Sequence, residues 1–332
     1  YVIFTLLLCN YACAQNYWGS SASTNPVGLT NIEIIEAAED SIPSYTFMSS
    51  GYQDESAFSG MIESVNGATL TLVDLVIDTD ENSYSENELT SEPHLLFIRD
   101  GQEIYNGMVF PIISNNGNDI VVNVNPDDAS TYFQVNDSVD IIKAITLETL
   151  FGAGDDFHGQ KGTPSFADNV LVWSSFGWKT YFHNQGKWQT FGTRSSQNST
   201  IIYPDEGLIY VRKQTSPLTL TFSGNAPTVC QSYMPSAGNK FLSSNPFPQA
   251  IKLSELIDTS SNWSKSQNIS ECDLILYWSG NSWIPYYHDV NNWINSVSGE
   301  IEDREILAGE SFFISKNVIS SGGSFFKIQS PE

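Results

Sequence analysis

Residues Trp178-Lys179-Thr180-Tyr181-Phe182-His183-Asn184, followed by Trp188, recur as Trp283-Ile284-Pro285-Tyr286-Tyr287-His288-Asp289, followed by Trp293. The two stretches align without a gap at an offset of 105 residues, which is 283 − 178 and also 293 − 188. The chain has only 8 Trp and 4 His among 332 residues, so chance does not account for the match. The repeat predicts an internal duplication.

The segments around the two stretches also follow one another in the same order. Each copy opens with a short helical or turn segment, continues through an apolar strand and the aromatic hairpin, and closes with two further strands. This order predicts two homologous antiparallel β-meander repeats. The first covers residues 146–227, and the second covers residues 228–332 together with a Pro- and Ser-rich linker.

Residues 32–145 contain short apolar or alternating segments at strand length. Turn-forming pairs separate them, including Asn66-Gly67, Asp100-Gly101 and Asn116-Gly117. Short strands with such turns are typical of antiparallel sandwiches and barrels. The sequence therefore predicts an all-β protein, with an N-terminal β-sandwich or barrel followed by the two repeats.

The start of the chain has the pattern of a targeting segment. Residues 2–8 are an apolar run, and Ala12-Cys13-Ala14 is a small-x-small cleavage pattern. We interpret residues 1–14 as a signal peptide and the polar residues 15–31 as an arm. The run is shorter than the about 20 residues that a spanning helix needs, so the prediction is a secreted protein, extracellular or at the cell surface, without a membrane span.

The charge of the chain limits its partners. The formal net charge is −24, from 38 acidic and 14 basic residues, and this argues against nucleic acids and anionic membranes. In the acidic loop 78–92, the residues Asp78, Asp80 and Asn82 are spaced like the start of a Ca²⁺ loop. Ser83 and Leu89 then depart from the EF-hand pattern, so a solvated loop is favoured over a Ca²⁺ site.

The cysteines outside the signal peptide are Cys230 and Cys272. In an oxidising compartment they can form a disulfide, which we favour slightly over two buried free thiols. Neither cysteine has neighbours with zinc-site spacing.

The two aromatic hairpins carry the candidate ligand-binding residues. Alternation along a strand places Trp178 and Trp283 on one face, where we expect a core with Trp188 and Trp293. The opposite face presents Tyr181 and His183 in the first copy, and Tyr286 and His288 in the second. An aromatic ring beside a hydrogen-bonding group can stack a sugar ring. The alternative, which we favour, is that both faces are covered by neighbouring parts of the protein. His183 and His288 could also form a metal-binding pair, but the sequence offers no third ligand, so a structural role is favoured for both.

Several motifs together resemble a known family. They are Phe58 to Val73, Gly101 to Ile113, Thr146 to Gly152, and the two repeats. They resemble a family of uncharacterised secreted β-rich repeat proteins of verrucomicrobial type, defined only by automatic sequence models, over roughly 300 residues. The resemblance implies a secreted β-rich fold. Its motifs are structural, so it implies no catalytic residues.

The sequence contains no catalytic motif that we recognise. It has no G-x-S-x-G, and the repeats share no carboxylate pair of the kind that glycosidases use. Our leading hypothesis is a secreted, non-enzymatic structural or interaction protein whose partner is a glycan or another surface protein. The alternative is a pair of carbohydrate-binding β modules, and the third hypothesis is an enzyme acting on polysaccharide.

Overall fold

The fold is known from a computed structural model, which describes residues 27–39, 42–50, 52–75, 84–124, 128–174, 177–227, 229–257, 263–318 and 324–329. Within these ranges the chain forms β-strands, three α-helices of one turn and three short 3₁₀ turns. The prediction of an all-β protein is confirmed. The predicted signal peptide and the residues Asp78, Asp80 and Asn82 lie outside the described residues.

A closed six-stranded barrel occupies residues 56–143. Two strands precede it, β1 (Val27–Ile34) and β2 (Ser44–Met48). The barrel segment consists, in chain order, of β3 (Ser56–Asn66), β4 (Thr69–Leu72), α1 (Glu88–Ser91), β5 (His94–Asp100), β6 (Val109–Asn116), β7 (Asp119–Val122) and β8 (Ser138–Lys143). The strand order around the barrel is β3-β4-β7-β6-β5-β8. Of the two predicted architectures for this region, the barrel is correct.

Alternation of apolar and polar residues closes the barrel around its own core. Thr69-Leu-Thr-Leu72 is typical, because Leu70 and Leu72 are fully buried while both threonines remain partly exposed. Gly67 and Gly117 begin the tight hairpin turns and have φ values of 60° and 57°, which a glycine adopts without steric cost. The predicted turns at Asn66-Gly67 and Asn116-Gly117 therefore sit where the strands reverse.

The first unit, as we name it, comprises β1, β2 and the chain from residue 146 to residue 225. Its remaining elements are α2 (Leu147–Phe151), β9 (Asn169–Ser174), β10 (Gly177–Asn184), β11 (Lys187–Thr190), β12 (Leu208–Arg212) and β13 (Leu218–Asn225). They form a five-stranded sheet of order β11-β10-β9-β12-β2 and a separate two-stranded sheet, β1-β13.

The second unit follows over residues 229–329. Its elements are β14 (Val229–Met234), β15 (Lys240–Ser244), β16 (Ile251–Lys252), α3 (Leu253–Leu256), β17 (Leu274–Trp278), β18 (Trp283–His288), β19 (Trp293–Asn295), β20 (Glu305–Ile306), β21 (Ser311–Ser315) and β22 (Ser324–Gln329). They form a five-stranded sheet of order β15-β21-β17-β18-β19 and the two-stranded sheets β14-β22 and β16-β20.

Two early strands change the boundaries expected from the sequence. All eight residues of β1 pair with β13, so residues 27–31 are strand and not part of a loose arm. β2 pairs with β12 from Met48↔Leu208 to Ser44↔Arg212. Both strands therefore belong to the sheets of the first unit and not to a domain over 32–145. The barrel interrupts the first unit between β2 and α2.

The two five-stranded sheets pack against each other through one face each. The shared apolar cluster contains Phe47, Leu171, Trp173, Ile209 and Val211 from the first unit, and Leu242, Leu276, Trp283 and Phe313 from the second. Short β-bridges join the units at Glu206↔Ser243 and at Met48↔Glu310. The two sheets thus form one sandwich.

The opposite face of each sheet is covered from within its own unit. Leu147 and Phe151 of α2 pack on the first sheet, and Leu253 and Leu256 of α3 pack on the second. Trp188 and Trp293 lie in these two inner cores, and Trp188 is fully buried. Trp178, which we expected in the core, is 38% exposed at the rim of the sandwich, and Trp283 is half-buried there. The hairpin face that carries Trp178 and Trp283 is therefore not the inner face.

Each five-stranded sheet has a buried aspartate directly before its central strand, Asp168 before β9 and Asp273 before β17. Asp168 accepts hydrogen bonds from Arg212 Nη1 at 2.5 Å, from Tyr210 Oη at 2.9 Å and from the backbone N–H of Gln160 and Lys213. Asp273 accepts from Lys316 Nζ at 2.5 Å and from the backbone N–H of Ser264 and Asn317. Both ion pairs lie almost entirely out of contact with solvent.

Lys316→Met should destabilise the protein because it leaves the fully buried Asp273 carboxylate without its cation. We expect a loss of about 3–5 kcal/mol in the free energy of unfolding, measured by urea denaturation. Lys240→Met, which removes an exposed lysine of β15, serves as the control. A loss below about 1 kcal/mol for Lys316→Met would contradict this description of the pair.

The two hairpin tryptophans should differ in their contribution to stability. Trp188 is fully buried, contacts Phe157 with ring centroids 4.9 Å apart, and donates from Nε1 to the carbonyl of Gly152 at 2.8 Å. Trp188→Ala should therefore cost about 3–5 kcal/mol in chemical denaturation. Trp178→Ala should cost less than about 2 kcal/mol because that ring is already partly solvated. Equal losses would refute the assignment of the inner face.

Candidate functional site between the units

The four residues predicted to form repeated ligand-binding faces are buried. The exposed fractions are 3% for Tyr181, 0% for His183, 1% for Tyr286 and 9% for His288. They share a face with Trp188 and Trp293, and α2 or α3 covers that face. The hypothesis of an open Tyr/His face is therefore wrong, and the favoured alternative, packing on both sides, holds for these residues.

The two histidines serve packing within separate cores. His183 Nε2 accepts a hydrogen bond from the backbone N–H of Gly154 at 3.1 Å, and its ring lies 5.7 Å from Trp188. The His288 ring lies 5.4 Å from Trp293. Burial lowers the pKa of both imidazoles. Across the described residues, no group of three or more His, Cys, Asp and Glu side chains is placed to hold a metal ion.

Cys230 and Cys272 are free buried thiols, so the expected disulfide is not formed. Cys230 lies on β14 in the inner core of the second unit. Cys272 ends a 3₁₀ turn, where its Sγ–H donates to the carbonyl of Ser266 at 3.0 Å. Burial raises the pKa of both thiols. Cys230 thus contributes to core packing, and Cys272 contributes a hydrogen bond within its own loop.

An open cleft lies where β1 and β2 of the first unit meet the second unit. We name it the aromatic cleft. Its volume is about 370 Å³, and its main side chains are Tyr45, Phe47, Tyr277, Trp278, Leu307 and Glu310. The Tyr45 side chain is 44% exposed. Phe47 contacts Trp278 and Trp283 with ring centroids 5.7 and 4.9 Å apart, so the aromatic wall is held in place by the sandwich.

Polar groups sit at one side of the aromatic cleft. The Glu310 carboxylate accepts from Tyr277 Oη at 3.0 Å and from the backbone N–H of Leu307 at 2.9 Å. The Arg304 guanidinium lies 3.6 Å from the centre of the Tyr277 ring. Burial and the Glu310 charge raise the pKa of Tyr277. The cleft thus combines ring faces with fixed hydrogen-bonding groups, which suits a ligand that is both flat and polar.

A second cavity lies where the barrel and both units meet. We name it the junction pocket. Its volume is about 240 Å³, and its lining is Met108, Val109, Tyr203, Asp205, Glu206, Gln231 and Phe241. Gln231 fastens the barrel to the second unit, since its Nε2 donates to the carbonyls of Ile104 and Asn106 at 3.0 Å. Packing between three parts of the chain thus forms the pocket.

Glu206 is the buried acid of the junction pocket. It is 8% exposed, and its Oε2 accepts one long hydrogen bond of 3.4 Å from the backbone N–H of Tyr203. Burial, followed by the nearby Asp205 charge, raises the pKa of Glu206 to about 8. Burial, followed by the charges of Glu206 and Asp205, raises the pKa of Tyr203 to about 12. Glu206 therefore carries a proton at neutral pH.

Glu206→Gln should change how stability depends on pH. In the unfolded chain a glutamate ionises near pH 4.3, whereas the folded Glu206 stays protonated until about pH 8. The folded state thus binds the proton more tightly, and wild-type stability falls as pH rises through that window. Across the whole window we expect Glu206→Gln to gain on the order of 5 kcal/mol over wild type, measured by urea denaturation.

Glu300→Gln, at an exposed position, controls for the loss of one acidic group. It should keep the wild-type slope of stability against pH. A Glu206→Gln variant whose slope matches wild type would show that Glu206 ionises normally.

Comparison with known proteins adds no relative. No family model, no curated protein and no solved structure matches the chain. Of the helices in the described ranges, none has the length and apolar character to cross a membrane.

The sequence contained a signal for these clefts that we did not use. Tyr203-Pro-Asp-Glu206 and Leu307-Ala-Gly-Glu310 stand in register at an offset of 104 residues, and each glutamate carboxylate accepts from the backbone N–H three residues earlier. The two glutamates are thus matching acidic groups in the first and second units. Tyr45 and Trp278 carried no such signal, because the cleft unites strands that are remote in the chain.

Proposed function

We propose that this protein is a secreted, non-enzymatic interaction protein built from two homologous units, the first interrupted by the barrel. The two five-stranded sheets run in the same strand order, β11-β10-β9-β12-β2 and β19-β18-β17-β21-β15. The pairing of Trp173 with Trp178 in the first sheet corresponds to the pairing of Trp278 with Trp283 in the second, at an offset of 105 residues (278 − 173 and 283 − 178). The equivalent surroundings of Asp168 and Asp273 support the same origin.

The observation that carries the proposed function is the aromatic cleft. The repeated Tyr and His side chains are used in the cores, so they are not free for a ligand. Tyr45, Trp278 and Glu310 instead line an open cleft between the units. A cleft between packed units is a common place for a binding site.

We further propose carbohydrate as the ligand class, bound at the aromatic cleft and not at the hairpins. The exposed Tyr45 ring offers a face for stacking, and the Glu310 carboxylate can accept hydrogen bonds from hydroxyl groups. The indole N–H of Trp278, a ring that lines this cleft, has no hydrogen-bond partner. Pyranose rings combine an apolar face with a rim of hydroxyls, which matches this surface.

Tyr45→Ala should abolish or strongly weaken glycan binding by the protein because it removes the exposed stacking ring. We expect at least a tenfold loss of affinity for the glycans that wild type selects on an array, a difference of about 1.4 kcal/mol. Phe191→Ala is the matched control, since that ring is 67% exposed on the first hairpin, away from the cleft. Its binding should equal wild type.

Three outcomes would each contradict one part of these proposals. Glycan binding that survives Tyr45→Ala would contradict the aromatic cleft as the site, and no binding by stable wild-type protein would remove the carbohydrate proposal. New reducing ends after incubation of a bound polysaccharide would show hydrolysis and would overturn the non-enzymatic function.

A further inference from the structure

Glu206 and Glu310 occupy matching places but have different partners. Each follows a short loop, and each accepts a hydrogen bond from the backbone N–H three residues before it, Tyr203 or Leu307. Each also forms a β-bridge to the other unit, Glu206↔Ser243 and Met48↔Glu310. The side chains around Glu206 can therefore be compared directly with those around Glu310.

In the second unit, Glu310 has a donor and a cation close by. Tyr277 Oη donates to its carboxylate at 3.0 Å, and the Arg304 guanidinium lies 3.6 Å from the centre of the same tyrosine ring. Burial by itself lowers the pKa of Arg304, but the charges of Tyr277, Tyr286 and Glu310 together raise this pKa above its usual value. Glu310 thus has a side-chain hydrogen-bond donor within its own unit, and a guanidinium lies on the ring of that donor.

The first unit has neither of these groups. The first residue of each short helix donates its backbone N–H to a carbonyl at 3.0 Å. In α2 the acceptor is Thr200, and in α3 it is Arg304. Thr200 therefore stands in the place of Arg304. Strand pairing places Val172 where the second unit has Tyr277. Glu206 receives no hydrogen bond from any described side chain, and Lys179 acts on it only through its charge.

The space beside Glu206 has the shape and lining of a small cation site. Met108, Val109 and the Phe241 ring supply apolar contact, while Tyr203 supplies a second ring and Asp205 a second acid. Ring faces attract organic cations, and a buried carboxylate gains most from a counter-ion in such surroundings. The volume of about 240 Å³ is below the about 300–1,000 Å³ of drug-sized sites.

We propose that the junction pocket binds a small organic ammonium ion, with the Glu206 carboxylate as its counter-ion and the Tyr203 and Phe241 rings around its apolar body. The net charge of −24 raises the local concentration of cations at the surface. The charged and titratable groups around Glu206 are Asp205, Tyr203, Tyr181 and Lys179. Since Glu206 is protonated at neutral pH, binding releases a proton, and affinity rises with pH up to about 8.

The test is calorimetric titration of the full chain with n-butylammonium chloride at constant ionic strength. n-Butanol, which has the same apolar body without the charge, is the control ligand. Wild type should bind the ammonium ion saturably, and Glu206→Gln should bind it at least tenfold more weakly. Glu300→Gln, at an exposed position, is the control variant and should bind within about twofold of wild type.

A second readout distinguishes loss of the site from loss of fold. Glu206→Gln should keep the wild-type melting temperature or exceed it, because it removes a buried acid. At about pH 7, titrations in buffers of different ionisation enthalpy should show proton release by wild type and none by Glu206→Gln. No saturable binding up to about 50 mM, equal binding by Glu206→Gln, or equal binding of n-butanol would each overturn the proposal.

Discussion

The structure depends on two buried carboxylates that must have every hydrogen bond satisfied. An ionised Asp in an apolar interior is costly unless a cation and several N–H groups surround it. Asp168 meets this requirement by fastening three pieces of chain together: the start of β9, the loop at Gln160 and the end of β12 at Arg212. Asp273 does the same for β17 with Ser264 and Lys316. These contacts determine where the central strands begin and how they align.

The strands aligned in this way give each sheet two apolar faces with different uses. One face receives the short helix of its own unit and buries the hairpin tyrosine, histidine and tryptophan. The other face meets the second sheet of the sandwich. Aromatic residues left at the rim of this contact, such as Tyr45 and Trp278, then border open space between the units. The open cleft and the junction pocket lie where the units meet and not where the sequence repeats most clearly.

Local patterns were sufficient to predict much of the fold. Alternating apolar segments such as Thr69-Leu-Thr-Leu72 and glycines at tight turns identified the barrel strands, and both predicted aromatic hairpins are present. The choice of inner face failed, because the pattern Trp178-x-Thr180 does not reveal that α2 covers Tyr181 instead. The predicted boundaries also placed β1 and β2 outside the first unit. Local sequence does not reveal a pairing such as that of Val27 with Asn225, because the two residues are far apart in the chain. The aromatic cleft could not be predicted without the second of these facts, because side chains of β1 and β2 line it.

The barrel within the first unit has a consequence for the nascent chain. Met48 of β2 cannot pair with Leu208 of β12 until the ribosome has added a further 160 residues (208 − 48). At about 5–20 residues per second this delay is about 8–32 s. The barrel strands, by contrast, pair only among themselves, from Ser56 to Lys143. During synthesis a finished barrel therefore carries two strands with unpaired edges, which are open to wrong partners until β12 and β13 emerge.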